Sequence, residues 1–183
     1  MKATQQLIRE HEDIKLMLNI LETISGKLEK DNELNIAHFE KILDFIKKFA
    51  DKCHHGKEEN ILFPAMVAHG IPNEIGPIAV MLDEHKLGRL YLNSLINAFE
   101  EYLTNKQASY NNIISSSRSY VEHLRNHIEK ENDILFKMAD IVFNETEQSK
   151  IYDDFEKLEM QKLGDGKSKE YQRLLKELKA IYL

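Results

Sequence analysis

Apolar side chains recur every three to four residues along most of this chain. This period is typical of amphipathic helices and predicts four long ones, over residues 3–30, 35–69, 78–105 and 109–143. Pro64 falls within the second stretch, where it should kink or end the helix because it lacks an N–H. The segment GIPNEIGP at residues 70–77 is predicted to form a loop between two halves of the chain.

The apolar register changes after Phe143. Two shorter amphipathic stretches follow, over residues 146–163 and 168–182, and a Gly-Asp-Gly-Lys segment separates them. We therefore predict an all-α protein: an antiparallel up-down-up-down four-helix bundle with two additional C-terminal helices. Residues 1–143 would form the bundle, and residues 144–183 would form a helical extension that packs on the bundle or in a dimer contact.

The composition narrows the possible fold classes, partners and cellular locations of the protein. With 7 glycines and 3 prolines in 183 residues, a turn-rich β fold is disfavoured. A formal net charge of −6 argues against a nucleic-acid partner, and no apolar run reaches membrane length. One cysteine excludes an intramolecular disulfide and suits a reducing compartment. We expect a cytoplasmic monomer or homodimer.

A two-fold repeat of polar residues interrupts the apolar pattern. Residues 54–63 read HHGKEENILF and residues 127–136 read HIEKENDILF, so both contain His-x3-Glu followed by x3-Leu-Phe. Upstream of each copy lies Glu-His-x6-Leu-Asn-x-Leu, at residues 10–21 and again at 84–95. The chain thus presents His, His-x3-Glu, His, His-x3-Glu, one element on each predicted helix.

These residue types at this spacing predict a metal site inside the bundle. Positions i and i+4 share a helix face, so His54 with Glu58 and His127 with Glu131 can reach one interior point. His11 and His85 would approach from the first and third helices. Imidazole and carboxylate ligands suit iron, manganese or zinc. Each glutamate has two oxygens and could bridge two ions, and four histidines with two glutamates leave coordination positions free for oxygen or nitric oxide.

On these motifs the chain resembles the hemerythrin-like, or HHE cation-binding, family. The resemblance covers roughly residues 5–143, and HxxxExxxLFP at 54–64 is its most specific element. It implies a non-haem di-iron site, Fe²⁺/Fe³⁺ with carboxylate and oxo or hydroxo bridges, in a four-helix bundle. The implied ligands are His11, His54, Glu58, His85, His127 and Glu131.

Two departures separate the chain from hemerythrins proper. Those have a second histidine four residues after that of the third helix, where this chain has Arg89, and they end the last motif with Asp at a longer spacing, where this chain has Glu131. Both differences favour the HHE subgroup, which includes the di-iron part of iron–sulfur-cluster repair proteins.

Several assignments stay open at this point. His55 with Glu59 also forms His-x3-Glu, but the repeat aligns His54 with His127, so we expect His55 to face outward or to support a ligand. His123, one turn before His127, is a candidate fifth histidine ligand or a surface residue. For Cys53 we favour an apolar filler over a redox sensor, and we expect Arg89 to belong to a charged face or to pair with a carboxylate.

The sequence favours a di-iron protein that binds or senses oxygen or nitric oxide over an enzyme. The alternatives are a di-iron peroxidase, oxidase or nitric-oxide reductase, and an iron store or donor for iron homeostasis or iron–sulfur repair. Glu-x-x-His pairs, which the ferritin-like di-iron enzymes use, do not occur in the sequence.

Overall fold

The protein is built from helices, and the described residues include no strand. The computed structural model describes the backbone of residues 2–183 and the side chains of 2–106 and 109–183; Met1, counted in the predicted bundle, lies outside the described residues. The helices are α1 (Ala3–Asp31), α2 (36–68), α3 (Pro77–Thr104), α4 (106–142), α5 (Glu145–Leu163) and α6 (Lys167–Tyr182). The predicted all-α class is confirmed.

Helices α2 and α4 change geometry where the repeated motif lies. Helix α2 consists of Ile36–Phe45, the π-helical segments Ile46–His55 and Glu58–Leu62, and Phe63–Ala68. Helix α4 consists of Lys106–Lys130, the π-helical Glu131–Leu135, and Phe136–Val142. Such i→i+5 turns are rare and often occur at functional sites. Because a π turn holds more residues than an α turn, it also changes which neighbouring residues face the interior.

Pro64 does not end α2, which continues to Ala68. The proline follows the π-helical segment Glu58–Leu62 and sits in the first turn of the last α-helical segment. A residue in a first turn needs no N–H partner in its own segment, so proline is tolerated there.

Two apolar clusters form the core, and the site lies between them. Along α1, Leu7 belongs to one cluster and Ile14 to the other, and His11 stands between. The cluster around Ile14 is built by α1–α4 and α6, and the cluster around Leu7 also receives side chains from α5. Full burial of one such Leu or Phe side chain stabilises the fold by about 1.5–3 kcal/mol. The polar layer is thus held between two stable blocks.

Both C-terminal helices pack on the other four. Helix α6 adds Tyr171 and Leu175 to the Ile14 cluster, and α5 adds Ile151 and Phe155 to the Leu7 cluster. An Asn144 capping box with Glu147 starts α5. None of the helices in the described part of the chain combines the length and apolar character that crossing a bilayer requires.

Candidate metal centre

The structure brings the six residues singled out by the repeat into one buried layer. Each is at most 1% exposed, and they come from four helices: His11, His54, Glu58, His85, His127 and Glu131. Ionisable side chains are rarely buried to this extent unless they are paired or bind a metal. Their convergence therefore requires a chemical reason.

The buried side chains form two groups, and within each group the candidate ligand atoms lie within 4.8 Å of one another. The first half-site is formed by His11, His54, Glu58 and Glu131. The second half-site is formed by His55, Glu58, His85 and His127. Glu58 belongs to both groups, so the half-sites share an edge.

Each glutamate presents one oxygen to either half-site. For Glu58, Oε1 lies 3.4 Å from Nε2 of His54, and Oε2 lies 3.4 Å from Nε2 of His85. For Glu131, Oε2 lies 3.2 Å from Nε2 of His11, and Oε1 lies 3.3 Å from Nε2 of His127. This is the placement expected of two carboxylates that bridge a pair of cations.

Several buried atoms of the layer have no hydrogen-bond partner among the described residues. They are Nε2 of His11 and His54 and all four carboxylate oxygens of Glu58 and Glu131. A buried polar atom without a partner costs about 1–3 kcal/mol, and more when it is charged. Bound cations would satisfy these atoms together, so the residues fit a metal pair.

The other nitrogen of each ring donates to an acceptor on a neighbouring helix. Nδ1 of His54 lies 2.8 Å from Oε2 of Glu10, and Nδ1 of His127 lies 3.0 Å from Oε2 of Glu84. A carboxylate can only accept, so Nδ1 carries a hydrogen, and Nε2 is the nitrogen that faces the interior and could bind a metal. The rings are thereby oriented for ligation.

The rings of His11 and His85 are also oriented by a hydrogen bond from Nδ1. Nδ1 of His11 donates to Oδ1 of Asn132 over 2.8 Å, and Nδ1 of His85 donates to Oε1 of Glu59 over 2.7 Å. Glu59 and Asn132 occupy equivalent positions, each directly after a bridging glutamate. The sequence repeat therefore extends to the residues that orient the ligands.

A lysine accompanies each of the two upstream glutamates. Lys57 donates to Oε1 of Glu10 over 2.6 Å, and Lys130 donates to Oε1 of Glu84. Their surroundings differ, because the side chain of Lys57 is fully buried and that of Lys130 is 46% exposed. Burial alone would lower the pKa of Lys57, but the charges of Glu10 and Glu159 outweigh it and raise that pKa. Lys57 is therefore a buried cation.

Of the two positions expected for His55, facing outward is wrong, and support of a ligand is compatible with its burial. The residue is 5% exposed, and its ring stacks on that of His85 with centroids 4.0 Å apart. Burial, with the neighbouring imidazoles of His85 and His127, holds the pKa of His55 well below its usual value. The ring is therefore neutral, the form in which histidine binds metals. Because His55 ends a π-helical segment, it can face inward together with His54.

Arg89 pairs with two carboxylates of α2. Its Nε donates to Oδ1 of Asp51 over 2.7 Å, and a terminal nitrogen donates to Oε1 of Glu59 over 2.9 Å. The same Glu59 oxygen accepts from His85. Arg89 therefore supports the orientation of His85 through the oxygen of Glu59 that both side chains contact.

Two histidines are protonated by the charge of the layer. Burial alone would lower the pKa of His54, but Glu58 and Glu10 outweigh it and raise that pKa to about 10. Burial would also lower the pKa of His85, but Glu131 and Glu59 outweigh it and raise that pKa to about 9. The negative charge that retains these protons would also retain metal cations, which would displace them.

The carboxylates are correspondingly acidic. A hydrogen bond from His127 lowers the pKa of Glu84 to about 2, with Lys130 adding to the effect against the influence of burial. Burial opposes ionisation of Glu131, but His127, His11 and His85 hold its pKa well below the usual value. These groups stay anionic at neutral pH and remain available as ligands and acceptors.

The other candidates lie outside both half-sites. Nε2 of His123 donates to the Glu84 carbonyl over 2.8 Å, and its ring centroid lies 6.3 Å from that of His127. Cys53 is buried, and burial raises its pKa to about 12, in agreement with an apolar filler.

Sequence reasoning did not identify the residues that orient the ligands, nor the inward position of His55. A signal existed for some of them, because Glu10 and Glu84 precede equivalent histidines within the repeated Glu-His segment. Lys57 and Lys130 are also equivalent in the repeat. For the contact between Lys57 and Glu159 the sequence offers no signal, because it joins residues 102 positions apart.

Fold and site together describe a helical protein with two carboxylate-linked groups of histidines and glutamates that are placed to hold cations. The sequence profile of the hemerythrin HHE cation binding domain matches residues 2–139. The chain belongs to this family, and the resemblance seen in its motifs is confirmed.

The curated relatives share little sequence identity with this chain. The uncharacterized proteins Rv1995 of Mycobacterium tuberculosis (strain H37Rv) and Mb2018 of Mycobacterium bovis are each 22% identical to this chain over 164 residues. These alignments cover 90% of this chain and 64% of each relative, so the chain spans less than two thirds of their length. No solved structure matches the chain.

Proposed function

We propose that this protein holds two iron ions and reversibly binds or senses oxygen or nitric oxide. The observation that carries the proposal is the placement of Glu58 and Glu131, whose four oxygens are divided between the half-sites and have no other partner among the described residues. Histidine and carboxylate donors with open positions suit non-haem iron. Manganese or zinc could substitute in the same donors.

We assign the ligands from the two groups. His11 and His54 would hold the first ion, and His85 and His127, with His55 as a third imidazole, would hold the second. Glu58 and Glu131 would touch both ions. The first ion then has fewer protein ligands, so the first half-site is where we expect a diatomic molecule to bind.

The surroundings suit binding rather than turnover. An iron pair supplies the electrons or the vacant coordination that a diatomic ligand needs. The protein supplies orientation and exclusion of water: the rings of His11, His54, His85 and His127 are fixed through Nδ1, and the apolar clusters cover the layer on both sides. With all ligands buried, only small molecules would reach the site. An iron store that releases its metal readily is less well supported, because these four rings are each held by a further residue.

Three finer expectations belong to the same proposal. The connections between the first four helices are short, which favours the antiparallel up-down-up-down course. The ligand residues come from one chain, so a monomer could hold the site, and a homodimer remains compatible with it. We retain a cytoplasmic location as an expectation based on the single buried thiol, Cys53.

An anaerobic loading experiment tests the function. Protein loaded with two equivalents of Fe(II) is exposed to oxygen and then returned to argon, while the visible spectrum is followed. Reversible appearance and loss of an absorption band supports binding or sensing. Continuous consumption of oxygen, peroxide or nitric oxide in the presence of a reductant would instead identify an enzyme and contradict the proposal.

A further inference from the structure

Glu159 contacts the network behind the first half-site from outside the matched domain. It lies on α5, beyond the residues 2–139 that the family profile covers. Its Oε2 accepts a hydrogen bond from Nζ of Lys57 over 2.6 Å, and its side chain is 22% exposed. The C-terminal extension thus reaches a fully buried cation next to a bridging glutamate.

The contact continues to a ligand through a single carboxylate. Lys57 donates with equal length to Oε1 of Glu10, and Oε2 of the same Glu10 accepts from Nδ1 of His54. Four side chains therefore form one line: Glu159, Lys57, Glu10 and His54. A change in charge at one end alters the hydrogen bond at the other, because such bonds polarise one another in a buried network.

The charges of these four side chains indicate how Glu159 would affect the hydrogen bond between Glu10 and His54. With Glu159 present, Lys57 is shared between two carboxylates, and Glu10 keeps much of its negative charge for His54. Without it, the full charge of Lys57 falls on Glu10, which becomes a weaker acceptor. A weaker acceptor makes the His54 ring a weaker donor to a metal.

Among the described residues, the equivalent network of Lys130, Glu84 and His127 has no counterpart of Glu159. Lys130 pairs with Glu84, and its side chain is 46% exposed. The contact of Glu159 with Lys57 therefore reaches the network behind the first half-site. This asymmetry separates a specific effect on His54 from general support of the fold.

We propose that Glu159 is a positioning residue that strengthens the first half-site through Lys57 and Glu10. The proposal rests on the proposed function, because it assumes that His54 binds a metal ion. It assigns to the C-terminal extension a role in tuning the metal pair, beyond covering the bundle.

The test compares Glu159→Gln with Glu156→Gln in the full chain. Glu156 is a matched control because it too joins α5 to one of the first four helices, accepting from Gln6 of α1 over 2.9 Å, without contacting Lys57. Each protein is loaded with two equivalents of ⁵⁷Fe(II). Mössbauer spectra are recorded, and release of iron to a chelator is followed in time.

We expect Glu159→Gln to change the spectrum of one iron and to speed its release by about tenfold, the low end of the loss caused by removing a residue that orients a ligand. The other iron, and both irons in Glu156→Gln, should behave as in the wild type. Equal effects on both irons, equal effects of both variants, or no effect would overturn the proposal. So would loss of the helical far-ultraviolet signal, since Glu159 would then serve the whole fold.

Failure of the proposed function has a different signature. A wild-type chain that binds no iron pair would refute the assignment of the half-sites before any variant is compared. Two irons that respond to oxygen in the wild type, with no selective effect of Glu159→Gln, would leave the function standing and refute the role of Glu159 alone.

Discussion

The two halves of the repeat share a plan, and we single out three of their differences near the site. In both, a Glu-His pair supplies one proposed ligand and the acceptor for a histidine of the next helix, and a His-x3-Glu supplies another proposed ligand and a carboxylate placed between the half-sites. The differences are His55 where the other half has Ile128, Glu59 where it has Asn132, and the carboxylate of Glu159 beside Lys57. Duplication thus gives the scaffold, and a few substitutions make the half-sites unequal.

The inequality has a chemical consequence. Under the proposed assignment, an extra imidazole would fill the second half-site, and the first would keep room for a ligand. Neutral His55 adds a donor without adding charge, while Glu59 with Arg89 fixes the ring of His85. Changes that make the halves alike, or that remove what they share, should therefore have separable effects.

The largest effect should come from removing what the halves share. Glu58→Ala deletes an oxygen from both half-sites and the main charge that raises the pKa of His54. We expect fewer than two irons per chain by elemental analysis, together with a lower melting temperature than iron-loaded wild type. Glu12→Ala, at an exposed position on α1, is the control. Two tightly bound irons in Glu58→Ala would contradict the bridging assignment.

The next effect should come from making the halves alike. His55→Ile copies the residue found at Ile128, and we expect it to weaken binding of one iron by at least about tenfold, as loss of a ligand or its support does. Nδ1 of His55 has no hydrogen-bond partner among the described residues, so the metal-free variant should be as stable as wild type or more stable.

Isothermal titration and thermal melting check these two outcomes together. Unchanged binding of both irons would show that His55 is a neighbour of the ligands and nothing more. A large loss of metal-free stability would show instead that the ring serves packing.

Protonation should give metal binding and metal-free stability opposite slopes with pH. The pKa values of His54 and His85 are raised to about 10 and about 9, so their stabilisation of the metal-free fold is complete below the unfolded value of about 6.5. It is lost as pH rises through 9 to 10. Metal must displace the same protons, so its apparent affinity should increase over that range.

Chemical denaturation of the metal-free protein and competition with a chelator measure the two slopes between pH 6.5 and 10. A metal-free stability that rises with pH, or an affinity that stays flat once the chelator's own titration is subtracted, would exclude protonated histidines in the layer. Glu10, Glu59 and Glu84 have lowered pKa values, and their stabilising contribution is present above about pH 4.5 and lost as pH falls.

The smallest effect on iron binding should come from substituting His123. Its Nε2 is bound to the Glu84 carbonyl, and it belongs to neither half-site. His123→Ala should therefore keep two irons per chain with little change in their affinity. Loss of one iron in this variant would show that the ring turns inward and serves as a ligand of the second half-site.

The periodicity and the repeat were sufficient to predict the helices and the six side chains that converge. Both rest on local rules, since i and i+4 positions share a face and equal motifs predict equal positions. These rules did not predict the inward position of His55, because they assume α-helical turns and α2 is π-helical from Ile46 to His55. Burial of Lys57 could not be predicted either, because it depends on how α5 packs against α1 and α2.

The account depends on two cations held between the four helices by shared carboxylates. Anomalous diffraction at the iron absorption edge from crystals of iron-loaded protein tests this directly. We predict two peaks per chain, one beside His11 and His54 and one beside His85 and His127, with Glu58 and Glu131 touching both. A single peak, or iron bound away from these glutamates, would contradict it.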